Sequence, residues 1–289
     1  MLPLTGKTSV YGIFGDPVAH SLSPVMQNAA FAHCRIDAIY VPFHVCSDHL
    51  ATAVSSLRAL DIKGINVTIP HKEAILPLLD DIDPDAARIG AVNTVVNRNG
   101  YLVGYNTDSS GFLRSSREDL GFDPKDQQAL LLGAGGAGRA AAFALLAAGI
   151  GQVTIANRSL DRARKLAATM PLDQQRQKLV PIAYGTPEFL QALSGADLIV
   201  NTTSVGLHGE PLDFLPLENI KGSALIFDMV YSEAGTALTQ AAALRGLRWV
   251  DGLSLLAAQG EDAFFIWTNK RLPSGFMRSL LAEHQQSNK

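Results

Sequence analysis

Apolar and polar positions fall into two series in which short runs rich in β-branched and aromatic residues alternate with stretches of helical periodicity. In the first series the strand-like runs are SVYGIFG (9–15), IYVPFHV (39–45) and GINVTI (64–69). Helices are expected after Pro24, from about Asp48 and from about Lys72. Two further β-rich runs, within AVNTVVNRNGYLVGYN (91–106), meet at Asn99-Gly100, the strongest short-range signal for a tight hairpin. A helix at 109–120 follows, and GFDPKDQQ (121–128) holds the turn residues of a domain crossing.

The second series runs through ALLLG (129–133), QVTIAN (152–157), KLVPIAY (178–184), DLIVNT (197–202), ALIFDMV (224–230) and LRWV (247–250), with crossover-length segments between the runs. The tail, LSLLAAQGEDAFFIW (253–267) and GFMRSLLAEH (275–284), is helical in pattern and is expected to pack back on the first domain. The expected fold is α/β: two α/β domains, the second a Rossmann-type doubly wound parallel sheet, with an active-site cleft between them. The domains are expected at 1–108 plus 252–289, substrate-binding and catalytic, and at 109–251, cofactor-binding.

The stretch ALLLGAGGAGR (129–139) gives the second domain its chemistry. An apolar strand enters Gly133, Gly135 and Gly138 and leaves as an alanine-rich helix, the arrangement that holds a dinucleotide pyrophosphate. Gly133 permits the tight turn, Gly135 the approach of backbone to phosphate, and Gly138 the close packing of helix on strand; Gly136 and Ala137 complete the loop. An NAD site places an acid at the end of the second strand. Here the chain has Asn157-Arg158-Ser159, then Arg162, with no acid before Asp161. Two guanidinium groups and a hydroxyl suit a 2′-phosphate, so the expected cofactor is NADP; the same arginines would also serve as a solvated i,i+4 surface pair.

Composition narrows the partners. The 289 residues, 47% hydrophobic and 18% charged, suffice for two domains with sizeable cores. A net charge of -3 and a pI near 6.2, with no long basic run, argue against nucleic acid. The N-terminus lacks a secretory pattern, and the apolar stretch 129–150 is broken by Arg139 and five glycines, which argues against a membrane span. Cys34 and Cys46 lack metal-ligand spacing, and the seven histidines show no zinc-ligand cluster, so no metal and a reducing, cytoplasmic setting are expected. No coiled-coil or repeat signal points to an assembly; a homodimer stays open.

Hydride transfer at an alcohol carbon also needs a proton carrier. No Tyr has Lys four residues later, which leaves polar residues at strand ends: Ser21, Ser23, Asn66, Thr68, Lys72, Asn93, Thr94, Asn106 and Asp108. Ser23 also suits an N-cap before Pro24, Asp108 a cap after Thr107, and Lys72 a helix-terminal surface lysine, although the dipole disfavours a cation there. His71 reads as a hydrogen-bonded structural histidine.

These blocks, GDPVAHSLSP, GINVTIPHK, GAVNT, GYNTD, GAGGAG, ANRS, NTTSVG, MVY and GLSLLAAQG, resemble in content and order those of the shikimate dehydrogenase family over nearly the whole chain. The resemblance implies NADPH-dependent reversible reduction of 3-dehydroshikimate to shikimate in aromatic amino-acid biosynthesis. Lys72 and Asp108 would be the catalytic pair, with Ser21, Ser23, Thr68, Asn93, Tyr231 and Gln259 (and Asp108 again) on the substrate. Thr203, Met229 and Gly252 would join Gly133, Gly135, Gly136, Ala137, Gly138, Asn157, Arg158, Ser159 and Arg162 around the cofactor. Two rivals stay open: a quinate/shikimate dehydrogenase preferring NAD, against which the paired serines and the missing acid at 157 speak, and a non-catalytic NADP-sensing regulator, whose signature would be loss of the proton-handling pair.

Overall fold

A computed structural model describes residues 4–170, 178–207, 209–232 and 234–287. The chain divides into two compact units, Met1–Thr107 with Leu256–Lys289, and Asp108–Leu255. In chain order the first unit contains β1 (Ser9–Gly15), α1 (Ser23–His33), β2 (Ala38–His44), α2 (Leu50–Ala59), β3 (Gly64–Val67), β4 (Asp81–Ile82), α3 (Pro84–Ile89), β5 (Thr94–Arg98) and β6 (Tyr101–Tyr105). Helix α4 (Thr107–Leu120) opens the second unit, which continues through β7 (Gln128–Leu132), α5 (Gly136–Ala147), β8 (Gln152–Asn157), α6 (Leu160–Thr169) and β9 (Lys178–Ala183). There follow α7 (Pro187–Gly195), β10 (Leu198–Asn201), β11 (Leu225–Asp228), α8 (Ala237–Leu244) and β12 (Trp249–Val250); α9 (Gly252–Thr268) ends in the first unit with α10 (Phe276–Ser287).

The first unit's sheet has the order β2-β1-β3-β5-β6-β4. Strands β2, β1 and β3 are mutually parallel, while β5 is antiparallel to both β3 and β6. The hairpin turn is Asn99-Gly100, both at positive φ (54° and 91°), as a two-residue turn of matching twist requires. Its core joins Phe14, Val54, Leu57, Ile65, Val67, Ile75, Val95 and Leu102, all nearly inaccessible to solvent. The tail helix α9 closes the other side: Phe264 meets Phe31 at 5.5 Å between ring centroids, Trp267 meets Tyr11 at 5.3 Å, and the Trp267 indole N–H donates to the Val95 carbonyl at 3.0 Å. Fully burying a side chain such as Phe264 contributes about 1.5–3 kcal/mol.

The second unit's sheet is parallel throughout, in the order β12-β11-β10-β7-β8-β9. Strand order reverses between β7 and β10, where a doubly wound sheet opens its ligand crevice. Strands β7, β8, β10 and β11 have almost wholly buried interiors, as expected with helices on both faces.

Two expectations are corrected. No α-helix starts at Lys72: residues 72–75 form a turn and Leu76–Leu78 a single 3-10 turn. Pro77 is the cause, since it lacks the N–H that would bond back to Glu73 and its ring opposes helix continuation. The segment 121–128 is not a domain crossing but belongs to the second unit. Its backbone is tied to the turn before β8, with Asp126 N–H donating to Gly149 O and Gly151 N–H to Gln127 O. The two compact units change over after Thr107 and after Leu255, within a few residues of the expected positions. Both boundaries lie inside helices, where no turn residue marks them.

Candidate active site

In the first unit two of the predicted substrate residues, Asn93 and Gln259, sit on a buried chain of hydrogen bonds that orients its donors. The Tyr40 hydroxyl donates to Asn66 Oδ1 (2.8 Å), which turns the Asn66 amide nitrogen toward Thr94 Oγ1 (3.1 Å) and Asn93 O (3.2 Å). Asn93 Oδ1 then accepts from the Thr94 hydroxyl (3.1 Å) and the Thr107 N–H (2.8 Å). That leaves the Asn93 amide nitrogen to donate to Thr107 Oγ1 (3.0 Å) and, at 3.5 Å, to Gln259 Oε1. Tyr40, Asn66, Asn93, Thr94, Thr107 and Gln259 are all buried. A buried polar network in which each member has a partner orients its groups firmly.

Ser23 is buried beside Tyr40 and hydrogen-bonds to it; burial raises the Tyr40 phenol well above its ordinary pKa, so it stays a neutral donor. Ser23 is not the helix N-cap, which is Leu22 without a side-chain bond. The hydroxyl two residues earlier does that work: Ser21 Oγ accepts the Ser23 N–H at 3.3 Å. Thr68 follows β3, its N–H bonded to Phe14 O and its carbonyl accepting from His71. Lys72 is half-buried on the next turn, its carbonyl accepting from the Val92 N–H at 2.8 Å, one residue before Asn93. Thr68, Lys72 and Asn93 are thus set by one backbone scaffold, and the expected helix-dipole penalty on Lys72 falls away with the helix. His71 is structural, buried with Nε2 2.6 Å from Val45 O.

In the second unit Asp108 is buried in the first turn of α4. The glycine turn has the required shape. Gly133 has φ +116° and donates to Ala156 O; a Cβ on Gly138 would come within 2.7 Å of Gly133 O. Gly135 differs from both, since a Cβ there would meet nothing within 4 Å. The open space beside Gly135, at the N-terminus of α5 with the backbone of Gly136 and Ala137, is a cradle that fits a pyrophosphate.

At the end of β8 the Asn157 amide donates to Ser159 O (2.8 Å) and shapes the turn. Ser159 precedes α6 without a capping bond from its side chain, and Arg158 and Arg162 are exposed. The nearby acid, Asp161, is engaged by Arg164 at 3.5 Å. Arg158 also lies close enough to Tyr184 for its charge to oppose the upward shift that burial gives this phenol.

Thr203 bonds through its hydroxyl to Asn201 Oδ1 (2.7 Å) and receives the Val205 N–H (3.1 Å). Gly252 N–H donates to Val230 O, and a Cβ on Gly252 would press within 2.4 Å of Met229 O, so these two predicted cofactor residues share one tight corner. Tyr231 follows, half-buried.

Sequence reasoning missed what holds these loops. Asp228 is fully buried and accepts from Asn201 Nδ2 (2.8 Å), the Val230 N–H (3.0 Å) and the Thr236 hydroxyl (2.6 Å), bracing the loops after β10 and β11. Burial raises its pKa to about 6 against the opposing effect of those hydrogen bonds. The motif ALIFDMV carries Asp228 as one polar residue after an apolar run, which reads as an ordinary strand end.

Comparison with known proteins identifies the chain's family. A family model described as shikimate dehydrogenase substrate binding domain matches residues 13–95, and one described as shikimate / quinate 5-dehydrogenase matches residues 116–207. A protein from Geobacter sp. (strain M21) named shikimate dehydrogenase (NADP(+)) is 49% identical over 286 residues, covering 97% of each chain. The crystal structure of shikimate dehydrogenase from Aquifex aeolicus superposes with a TM-score of 0.87 at 39% identity, covering 96% of this chain and 99% of that one. That of shikimate 5-dehydrogenase from Thermus thermophilus, solved with NADP(H) and shikimate, gives 0.83 at 37% identity, covering 96% and 99%. With relatives this similar over nearly its full length, the chain belongs to the shikimate dehydrogenase family.

Proposed function

We propose that this chain catalyses the reversible NADPH-dependent reduction of 3-dehydroshikimate to shikimate, a step of aromatic amino-acid biosynthesis, in the cytoplasm. The observation that carries this reading is the directed buried network from Tyr40 to Gln259 in the first unit, a set of oriented amides and hydroxyls suited to a polyol. Beside it, 49% identity to an NADP-named relative supports both substrate and cofactor.

NADP, when bound, supplies or accepts the hydride at the carbon bearing the substrate hydroxyl. Gly133, Gly135, Gly136, Ala137 and Gly138 hold its pyrophosphate, Asn157, Arg158, Ser159 and Arg162 its 2′-phosphate, and Thr203, Met229 and Gly252 border the nicotinamide side. Ser21 and Ser23 hold the substrate carboxylate with Thr68 and Tyr231, while Asn93, Gln259 and Asp108 bind ring hydroxyls.

Lys72 gives the proton to the forming alkoxide during reduction and takes it back during oxidation, and Asp108 is the second member of the catalytic pair. A positioned amine of this kind can serve as acid in one direction and as base in the other.

The test is Lys72→Ala. Turnover with shikimate and NADP should fall by about 10²–10⁴-fold, the usual contribution of a positioned acid-base group. The dissociation constant for NADP, measured by fluorescence titration, should stay within about twofold of the parent's. A Lys72→Ala enzyme with full turnover contradicts the assignment.

A further inference from the structure

The spacing of cysteines and histidines along the chain shows no metal-ligand set, yet folding brings three potential donors together. An imidazole nitrogen of His44, the sulfur of Cys46 and a carboxylate oxygen of Asp16 all lie within 4.8 Å of one another. The cause is sheet geometry. Strands β1 and β2 are parallel with Gly15 opposite His44, so Asp16, the next residue after β1, comes level with the end of β2, and His44 Nε2 lies 2.6 Å from Asp16 Oδ1. Cys46 is two residues beyond His44 on backbone that is still extended (φ -67°, ψ 153°), which puts both side chains on one face.

The backbone beneath these groups is pinned. Val45, between the two ligands, points the other way into the core; its N–H donates to Gly15 O (3.1 Å), and its carbonyl lies 2.6 Å from Nε2 of buried His71. Asp16 N–H donates to Ile69 O at 3.0 Å. The ligand side chains are themselves accessible: the His44 side chain is 60% exposed, that of Asp16 35%, and Cys46 is exposed with a free thiol. Hydrogen-bonded backbone with accessible side-chain tips is the arrangement in which an ion can draw three donors together.

We propose that Asp16, His44 and Cys46 form a binding site for a borderline-soft divalent transition ion such as Zn2+, apart from the residues assigned to the reaction. Thiolate, imidazole and carboxylate are the donor types zinc takes, at roughly 2.0–2.3 Å, and three protein ligands leave a fourth position for water. Bond lengths of this size on a tetrahedral ion set the donors roughly 3–4 Å apart, so the His44 nitrogen and the Asp16 oxygen, now 2.6 Å from each other, separate slightly while the Cys46 sulfur closes in, all through side-chain torsions. On binding, the Cys46 thiol gives its proton to solvent, a sulfur–metal bond forms, and the His44–Asp16 hydrogen bond is replaced by two metal contacts. Nothing is oxidised. The thiolate and carboxylate together balance the ion's charge.

The experiment titrates the whole chain, kept reduced, with Co2+ as the spectroscopic probe and then with Zn2+ in competition. One equivalent of Co2+ should produce a thiolate-to-metal absorption band, which Zn2+ then abolishes. Cys46→Ser should remove the band. His44→Gln and Asp16→Asn should each weaken Zn2+ by more than the roughly tenfold that loss of an outer-sphere partner costs, while Cys34→Ser changes nothing. Absence of a band with the parent chain overturns the proposal. So does a band that survives both His44→Gln and Asp16→Asn, which would mark a lone thiol, or one that depends on Cys34. Because the readout is metal absorbance, it is independent of turnover with shikimate.

Discussion

Cofactor choice rests on a few side chains after β8. An acid at the end of this strand would hold the ribose hydroxyls of NAD and repel a 2′-phosphate. Here that position is Asn157, its amide committed to the turn, while the carboxylate of Asp161 faces Arg164. Arg158 and Arg162, both exposed, are the groups we propose for the 2′-phosphate. Charge-assisted bonds of this kind contribute about 1.5–3 kcal/mol each, a factor of roughly 10 to 100 in affinity. The double variant Arg158→Ala, Arg162→Ala should raise KM for NADP by at least about tenfold while KM for NAD stays within about threefold; an equal rise for both coenzymes would refute the assignment.

Asp228 bears a different test. Its pKa near 6 lies above the ordinary 3.8, so between those values the folded chain keeps a proton that the unfolded chain has lost. This residue's contribution to stability is therefore full below pH 4 and declines as pH rises through 6. Asp228→Asn cannot titrate, so urea denaturation should find its stability deficit relative to the parent larger at pH 5 than at pH 7.5. Equal deficits at both values would mean that Asp228 does not titrate there.

Among the elements, the glycine turn separates folding from binding. Gly138→Ala drives a methyl group to 2.7 Å from a backbone oxygen, so it should lower stability by about 1–3 kcal/mol. Gly135→Ala meets nothing and has an ordinary φ of -92°, so stability should stay within about 1 kcal/mol while NADP affinity falls at least about tenfold. Thermal denaturation with and without NADP checks both; a Gly135→Ala chain that binds NADP as the parent does would remove the cradle from the site.

The glycine turn and the Asn99-Gly100 hairpin are legible in the sequence because each is local: the residues that need the unusual backbone are also the ones that specify it. The turn at Lys72 is not, because Pro77 stops the helix from five residues downstream. Tyr40, Asp228 and the Asp16–His44–Cys46 cluster are out of reach for another reason. Their partners come from other strands, and only sheet register brings them together. The roles of Lys72 and Asp108 come from the family resemblance, since a lone lysine and a helix-capping aspartate carry little chemistry by themselves.

At the scale of the whole molecule, the proposed function gives each unit its own part. The first supplies oriented hydrogen-bonding groups and Lys72; the second supplies a parallel sheet whose strand order reverses beside the glycine turn. Among the described residues no helix is long and apolar enough to cross a membrane. The boundaries after Thr107 and Leu255 run through helices, so chemistry-bearing residues stand at the changeover itself: Thr107 bonds to Asn93, and Asp108 is the next residue. The most direct test of the account is kcat/KM for the four pairings of shikimate or quinate with NADP or NAD. Shikimate with NADP should lead, with a loss of more than about tenfold on changing either partner. A higher kcat/KM for quinate with NAD would contradict it.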